Sequence, residues 1–103
     1  MTEIKLLMEH IDGEIKDAGC YAKLALKYKD RDKELAELFY RLSGEELDHM
    51  TRLHTQVVRL IDGQRRIGAE VPEAMMAVYE FLHKRDIDKT AEVGVLQALY
   101  KGK

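Results

Sequence analysis

Two glutamates and a histidine interrupt runs of apolar residues at spacings that can bring all three to one metal ion. Glu46-Leu47-Asp48-His49 is a Glu-x-x-His step, and its i, i+3 spacing puts a carboxylate and an imidazole on one helix face. Both belong to a stripe, Leu35, Phe39, Leu42, Glu46, His49, Leu53, Gln56, Leu60, whose steps alternate between four and three. Glu14 is the only charged member of an earlier stripe, Ile4, Leu7, Ile11, Glu14, Ala18, Tyr21, Ala25, Tyr28. Ionised carboxylates are not left unpaired in an apolar seam, because desolvation costs several kcal/mol per charge unless a partner compensates. A bound cation is the natural compensation. Oxygen and imidazole donors without thiolate suit iron, manganese or zinc better than copper(I). Glu14, Glu46 and His49 are therefore the candidate metal ligands. A second step of the same form, Glu80-Phe81-Leu82-His83, carries less weight, since no opposing acid is expected at its height.

Two long helices must position these ligands. Thr2 can cap the first, which continues across Gly13 to about Tyr28. Asp30-Arg31-Asp32 offers a tight turn and an N-cap, and the second helix is expected from about Lys33 to Asp62, with Gly63 a stop or Gln64 to Ile67 adding a turn. Such a short connection implies antiparallel neighbours. Glu14 and Glu46 lie sixteen residues before and after Asp30, so each sits about 24 Å from the bend, opposite the other inside the packed interface. Gly68 to Val71 reads as a linker and Pro72 as the first position of a third helix ending near Lys84, with Met75, Val78, Tyr79 and Leu82 as its apolar face. Asp86 or Asp88 can then cap a last short helix carrying Ala91, Val95, Leu96 and Leu99, with Lys101 to Lys103 as a frayed tail. The expected fold is all-α: a long antiparallel hairpin over residues 1–62, then a linker and two short helices over 63–103 that cover a core or mediate assembly.

Composition narrows the function classes. The 103 residues suffice for one domain, and 46% hydrophobic with 35% charged content suits a globular helical chain. Lys and Arg number 17 against 19 acids, and no helix face is dominated by basic residues, which argues against a nucleic-acid partner. Cys20 is alone, so one chain forms neither a disulfide nor a cysteine-based metal site, and a reducing cytoplasmic setting is the expectation. No run approaches the ~20 apolar residues needed to cross a bilayer, so no membrane association is expected.

Glu14, Tyr21 seven residues on, and Glu46-x-x-His49 resemble the first half of the ferritin-like di-iron proteins, especially rubrerythrins and encapsulated ferritins, over about residues 1 to 62. The resemblance implies Glu14 as the lone carboxylate, Glu46 as the metal-bridging carboxylate, His49 as the terminal nitrogen ligand and Tyr21 as an aromatic near the metals. The chain lacks a second pair of long helices with its own ligand set, and lacks the cysteine pairs of a rubredoxin module. The resemblance therefore implies that two chains pair into a four-helix bundle holding two irons per dimer, with manganese or zinc as substitutes, as a homodimer or a larger ring. It also implies ferroxidase or O2/peroxide-reducing activity. Val93-Gly94-Val95-Leu96 faintly resembles the signal that directs cargo into an encapsulating shell, but it falls within an expected helix.

Plainer readings stand beside these. Glu14 could be a surface carboxylate on a helix whose core stripe is Ile15, Ala22 and Leu26, and Glu46 with His49 could be a hydrogen-bonded layer that only sets register in a non-catalytic scaffold or binding module. His10 reads as an exposed salt-bridge partner, His54 and His83 as partly exposed, Glu45 and Asp48 as solvated, Tyr21 as packing, and Cys20 as a small buried residue.

Overall fold

The computed structural model describes residues 2–68 and 73–102, which form three helices, α1 (Thr2–Tyr28), α2 (Lys33–Arg66) and α3 (Glu73–Lys101). Thr2 is the first residue of α1, and the helix passes through Gly13 unbroken. At its end the Tyr28 carbonyl accepts from the backbone N–H of Arg31 at 3.0 Å and of Asp32 at 2.9 Å. Asp32 then caps α2 as expected: its backbone is extended (φ −155°) and its Oδ1 accepts from the Leu35 N–H at 3.1 Å. α2 does not stop at Gly63. It continues to Arg66, and Gly68 closes it in a left-handed conformation (φ 75°) that a side chain would resist. The linker over Ala69 to Val71 and the helix start at Pro72 lie outside the described residues.

The expectation of two short C-terminal helices is corrected: α3 is one helix of 29 residues. Lys84 reads as the end of one helix and Asp86 or Asp88 as the cap of the next, because polar residues cluster from Lys84 to Lys89. The structure uses two of the charges of this stretch to tie α3 to α1 instead. Arg85 Nη2 donates to Asp12 Oδ1 at 2.8 Å and Lys89 Nζ lies 3.7 Å from the same oxygen, while Asp86 is turned inward at 5% exposure.

α1 and α2 are antiparallel, since Ser43 meets Ala18, Phe39 meets Tyr21 and His49 meets Glu14 in opposite order along the two helices. α3 returns parallel to α1, with Arg85 on Asp12, Val93 beside Gly19 and the Leu99 carbonyl accepting from Lys29 Nζ. The result is an up-down-up bundle of 56 × 19 × 18 Å. Its core is built on Ile4, Met8, Ile11, Ile15 and Ala18 of α1, Val57 and Ile61 of α2 and Val93 of α3. Among the described residues no helix is long and apolar enough to cross a membrane.

The buried stripes differ from the expected seams by a rotation. On α1 the buried positions are Ile4, Met8, Ile11, Ile15, Ala18, Ala22 and Ala25, so half of the expected seam is core, while Leu7, Glu14, Tyr21 and Tyr28 lie on a half-buried flank. On α2 the inward stripe is Ala36, Tyr40, Ser43, Leu47, Met50, His54, Val57 and Ile61, one residue on from the expected one throughout. One residue is about 100° of helix rotation. The rotation opens room on the core side for α3.

Candidate metal centre

Leu7, Glu14, Tyr21 and Tyr28 of α1 and Leu35, Phe39, Leu42, Glu46, His49, Leu53 and Leu60 of α2 share the side of the hairpin opposite to α3. All but His49 are half-buried. Phe39 anchors this flank, with its ring centroid 6.1 Å from that of Tyr21, stacked, and 6.0 Å from that of Tyr28. Tyr21 is thus a packing residue two turns from Glu14. Two turns along α2 in the other direction, the polar trio takes over from the aromatics.

Glu14, Glu46 and His49 come together as the spacing predicts. One donor atom from each can be chosen so that all lie within 4.8 Å of one another, the only such group of three acids or histidines among the described residues. His49 Nδ1 stands 3.3 Å from Glu14 Oε2, donating to it in the tautomer that protonates Nδ1, and 3.8 Å from Glu46 Oε1. Neighbouring donors on one ion with bonds of about 2.1 Å are separated by roughly 3–3.5 Å, so a small rotamer adjustment closes the set. The expected burial is corrected. The side chains are 24%, 18% and 51% exposed for Glu14, Glu46 and His49, so the trio sits on the open flank instead of inside the α1–α2 interface.

Electrostatics point the same way as the geometry. A hydrogen bond with Glu14, then burial, then the Glu14 charge push the Glu46 carboxyl up to about 7, with His49 pulling it down and Asp17 adding a smaller upward push. A like charge this close disfavours the ionised form of Glu46. A divalent ion is a better neutraliser than a proton for two acids beside an imidazole. The donors are two carboxylates and one nitrogen, a set suited to iron, manganese or zinc.

The remaining sequence candidates are placed as follows. Glu45, Asp48 and His10 are exposed. Glu80 is exposed and away from any acid partner that would make its step with His83 a site. Cys20 was expected to be buried and is exposed instead, because the buried positions of α1 on either side of it are Ala18 and Ala22 and it falls off their stripe. The apolar faces expected for the last segments are also corrected: Val78, Val95 and Leu99 are 52%, 60% and 52% exposed. The Met75 side chain lies outside what is described. The inward stripe of α3 is Tyr79, His83, Asp86, Thr90, Val93, Gln97 and Tyr100, an unbroken alternation of four and three that runs straight through the expected break.

That stripe contains what sequence reasoning missed. His54 of α2 stacks on His83 (centroids 4.8 Å, planes 12° apart), which stacks in turn on Tyr79 (5.5 Å, 11°). His54 Nε2 and both Asp86 carboxylate oxygens are buried without a hydrogen-bond partner. Ser43, wholly buried, donates to the Ala18 carbonyl at 2.7 Å and accepts from Gln97 Nε2 at 2.9 Å, and Tyr100 Oη donates to Glu37 at 2.9 Å. The signal was the alternating four-and-three spacing from Tyr79 to Tyr100, obscured because His83, Asp86, Thr90 and Gln97 within it are polar. No protein-family model, curated protein or solved structure matches the chain.

Proposed function

We propose that this chain is half of a ferritin-like metal centre, in which Glu14, Glu46 and His49 of two copies together hold two irons, or two manganese ions. The observation that carries the reading is the convergence of the three donor atoms within 4.8 Å on a flank that nothing in the described chain covers. Three donors from one chain leave coordination positions open, and the half-buried Leu35, Phe39, Leu42, Leu53 and Leu60 around them suit a second hairpin laid antiparallel across a two-fold axis. In that arrangement Glu46 would be the carboxylate shared between the ions, Glu14 the lone carboxylate and His49 the nitrogen donor. What such a pair of irons supplies when bound is two electrons, which with two protons reduce one peroxide to two waters and leave both irons ferric. Glu46, whose carboxyl is held up to about 7 without a metal, would bind the ion in its ionised form. Larger rings and a surrounding shell are compatible with the same unit.

A register-fixing polar layer is the competing role for these residues. Ser43 already fills it from a fully buried position, bridging Ala18 and Gln97, whereas a trio with a half-exposed histidine specifies register poorly. This favours the metal. Anaerobic Fe(II) titration of the metal-free protein tests it, repeated on Glu46→Ala: saturation near about one iron per chain, lost in the variant, is expected. A wild-type chain that takes up neither Fe(II) nor Mn(II) overturns the reading.

A further inference from the structure

On the other side of the hairpin, where α3 covers it, a cavity of about 270 Å³ opens between all three helices, walled by Met8 and Ile11 of α1, Met50 of α2 and Ile87 of α3. His54, His83, Thr51, Thr90 and Asp86 complete the lining. An apolar cavity of about 150 Å³ accommodates a benzene ring, so this one has room for a ring and a short chain. We propose that this cavity binds a small organic cation with an apolar body, its head donating to the Asp86 carboxylate and its body lying against Met8, Ile11, Met50 and Ile87.

Asp86 supplies the reason for a cation. It is 95% buried by residue surface, only 5% remaining exposed, and neither carboxylate oxygen accepts a hydrogen bond. The basic residues nearby hydrogen-bond or point to another acid, Asp12, and reach Asp86 only through their charge. Arg85 Nη2 and Lys89 Nζ are both directed at Asp12 Oδ1, at 2.8 and 3.7 Å, and Arg85 Nε comes only to 3.9 Å from Asp86. A buried acceptor of this kind costs free energy until a donor arrives, and a charged donor returns the most. His54 Nε2 adds a second unpartnered polar atom beside the cavity, on a ring that burial and His83 hold toward the neutral form. The thioethers of Met8 and Met50 are polarisable walls for such a ligand.

A metal ion fits this place poorly. Imidazole lone pairs lie in the ring plane, and two rings stacked with planes 12° apart do not aim them at one point. An anion would meet the buried carboxylate, and a single water would leave most of the apolar volume unfilled. The site is independent of the metal centre, which faces away from it.

The test uses the full chain with chelator present and 2-phenylethylammonium as probe, with 2-phenylethanol and phenylacetate as neutral and anionic isosteres, read by methyl NMR shifts and calorimetry. Saturable binding of the amine is expected, at least about tenfold tighter than the alcohol, with shifts at the Met8, Met50 and Ile87 methyls. Asp86→Asn should erase the preference, Thr90→Phe should fill the cavity and abolish binding, and Glu46→Ala should leave both unchanged. No saturation at millimolar amine, equal affinity for the alcohol, or binding that survives Thr90→Phe overturns the proposal. Thr90→Phe keeps the test decisive if Asp86→Asn does not fold.

Discussion

The α1–α2 hairpin has two sides, and the described residues fill only one. On the filled side Met8, Ile15, Ala22, Ser43 and Val57 meet α3 and are almost fully buried, with Gln97, Asp86 and His83 reaching in between them. On the open side the helix positions are occupied by larger side chains, among them Leu7, Tyr21, Tyr28, Phe39 and Leu42, which are left half-buried, and the ionisable trio sits among them. Aliphatic and small residues mark the side where a third helix packs, and aromatic and ionisable ones mark the side where nothing in the described chain does. Polar groups differ too. Ser43 on the filled side has its hydrogen bonds satisfied, whereas Glu46 on the open side is pushed up to about 7 by a hydrogen bond with Glu14, by burial and by the Glu14 charge. The open flank thus combines large, half-buried apolar side chains with a cluster of ionisable groups.

Truncation should separate the sides most sharply. Ile15→Ala removes a side chain that is 2% exposed and should cost about 2–5 kcal/mol in urea unfolding. Leu42→Ala, half-buried on the open flank, should cost less than about 1 kcal/mol at high dilution, where a monomer is measured. If a second copy covers that flank, the Leu42 cost should grow with protein concentration and sedimentation should show the dimer weakened. Equal, concentration-independent costs for both variants would erase the distinction between the two sides.

Ser43→Ala probes the polar tie between all three helices. It removes the bond to the Ala18 carbonyl and leaves Gln97 Nε2 without its acceptor, so a loss of about 1–3 kcal/mol is expected in the same assay. A variant as stable as the wild type would mean that Gln97 finds water and that Ser43 does not fix register.

Much of this was legible in the sequence, and the failures share a cause. The hairpin, its Asp32 cap and the meeting of Glu14 with Glu46 and His49 follow from spacing and from the position of the turn. The rotation of the seams does not, because Ile4, Ile11, Ala18 and Ala25 belong equally to a stripe through Leu7 and Glu14 and to one through Met8 and Ile15. On α2 the larger apolar residues lie at Leu35, Leu42 and Leu60, so size favoured the flank over the true core positions Ala36, Ser43 and His54. α3 is close to inside-out, with Val78, Phe81, Ile87, Val95 and Leu99 exposed and Asp86, Thr90 and Gln97 turned inward. A helix whose polar residues face the bundle carries almost no amphipathic signal, which is why it read as two fragments.

Acid should act on the open side in a direction opposite to the usual one for carboxylates. With Glu46 raised from 4.5 to about 7, the folded chain keeps a proton that the unfolded chain has released between those values. Stability of the metal-free protein should therefore fall as pH rises from about 4.5 to 7 and level off above, by less than the Ser43 effect because water screens a pair on an open flank. His54, held low by burial and His83, works against this slope, and Asp86, held high by burial and Asp12, works with it. The difference between wild type and Glu46→Gln isolates the trio. A difference independent of pH would mean that Glu14 and burial do not hold the Glu46 carboxyl up. Fe(II) or Mn(II) affinity should rise with pH across the same window, as the ion displaces the Glu46 proton.

The smallest expected change returns to the filled side and measures how closely α3 approaches. A Cβ at Gly19 would meet Val93 Cγ2 at 3.5 Å, an ordinary contact, whereas a Cβ at Gly13 would meet nothing within 4 Å. Both glycines lie inside α1, where alanine should gain up to about 1 kcal/mol from helix propensity alone. Gly13→Ala gives that gain by itself, and Gly19→Ala should match or slightly exceed it by adding a methyl contact with Val93. The two melting curves, compared directly, read the α1–α3 spacing. A Gly19→Ala chain less stable than the wild type, beside a stabilised Gly13→Ala chain, would mean that α3 sits closer to α1 than 3.5 Å allows and that the filled groove has no slack for a methyl group.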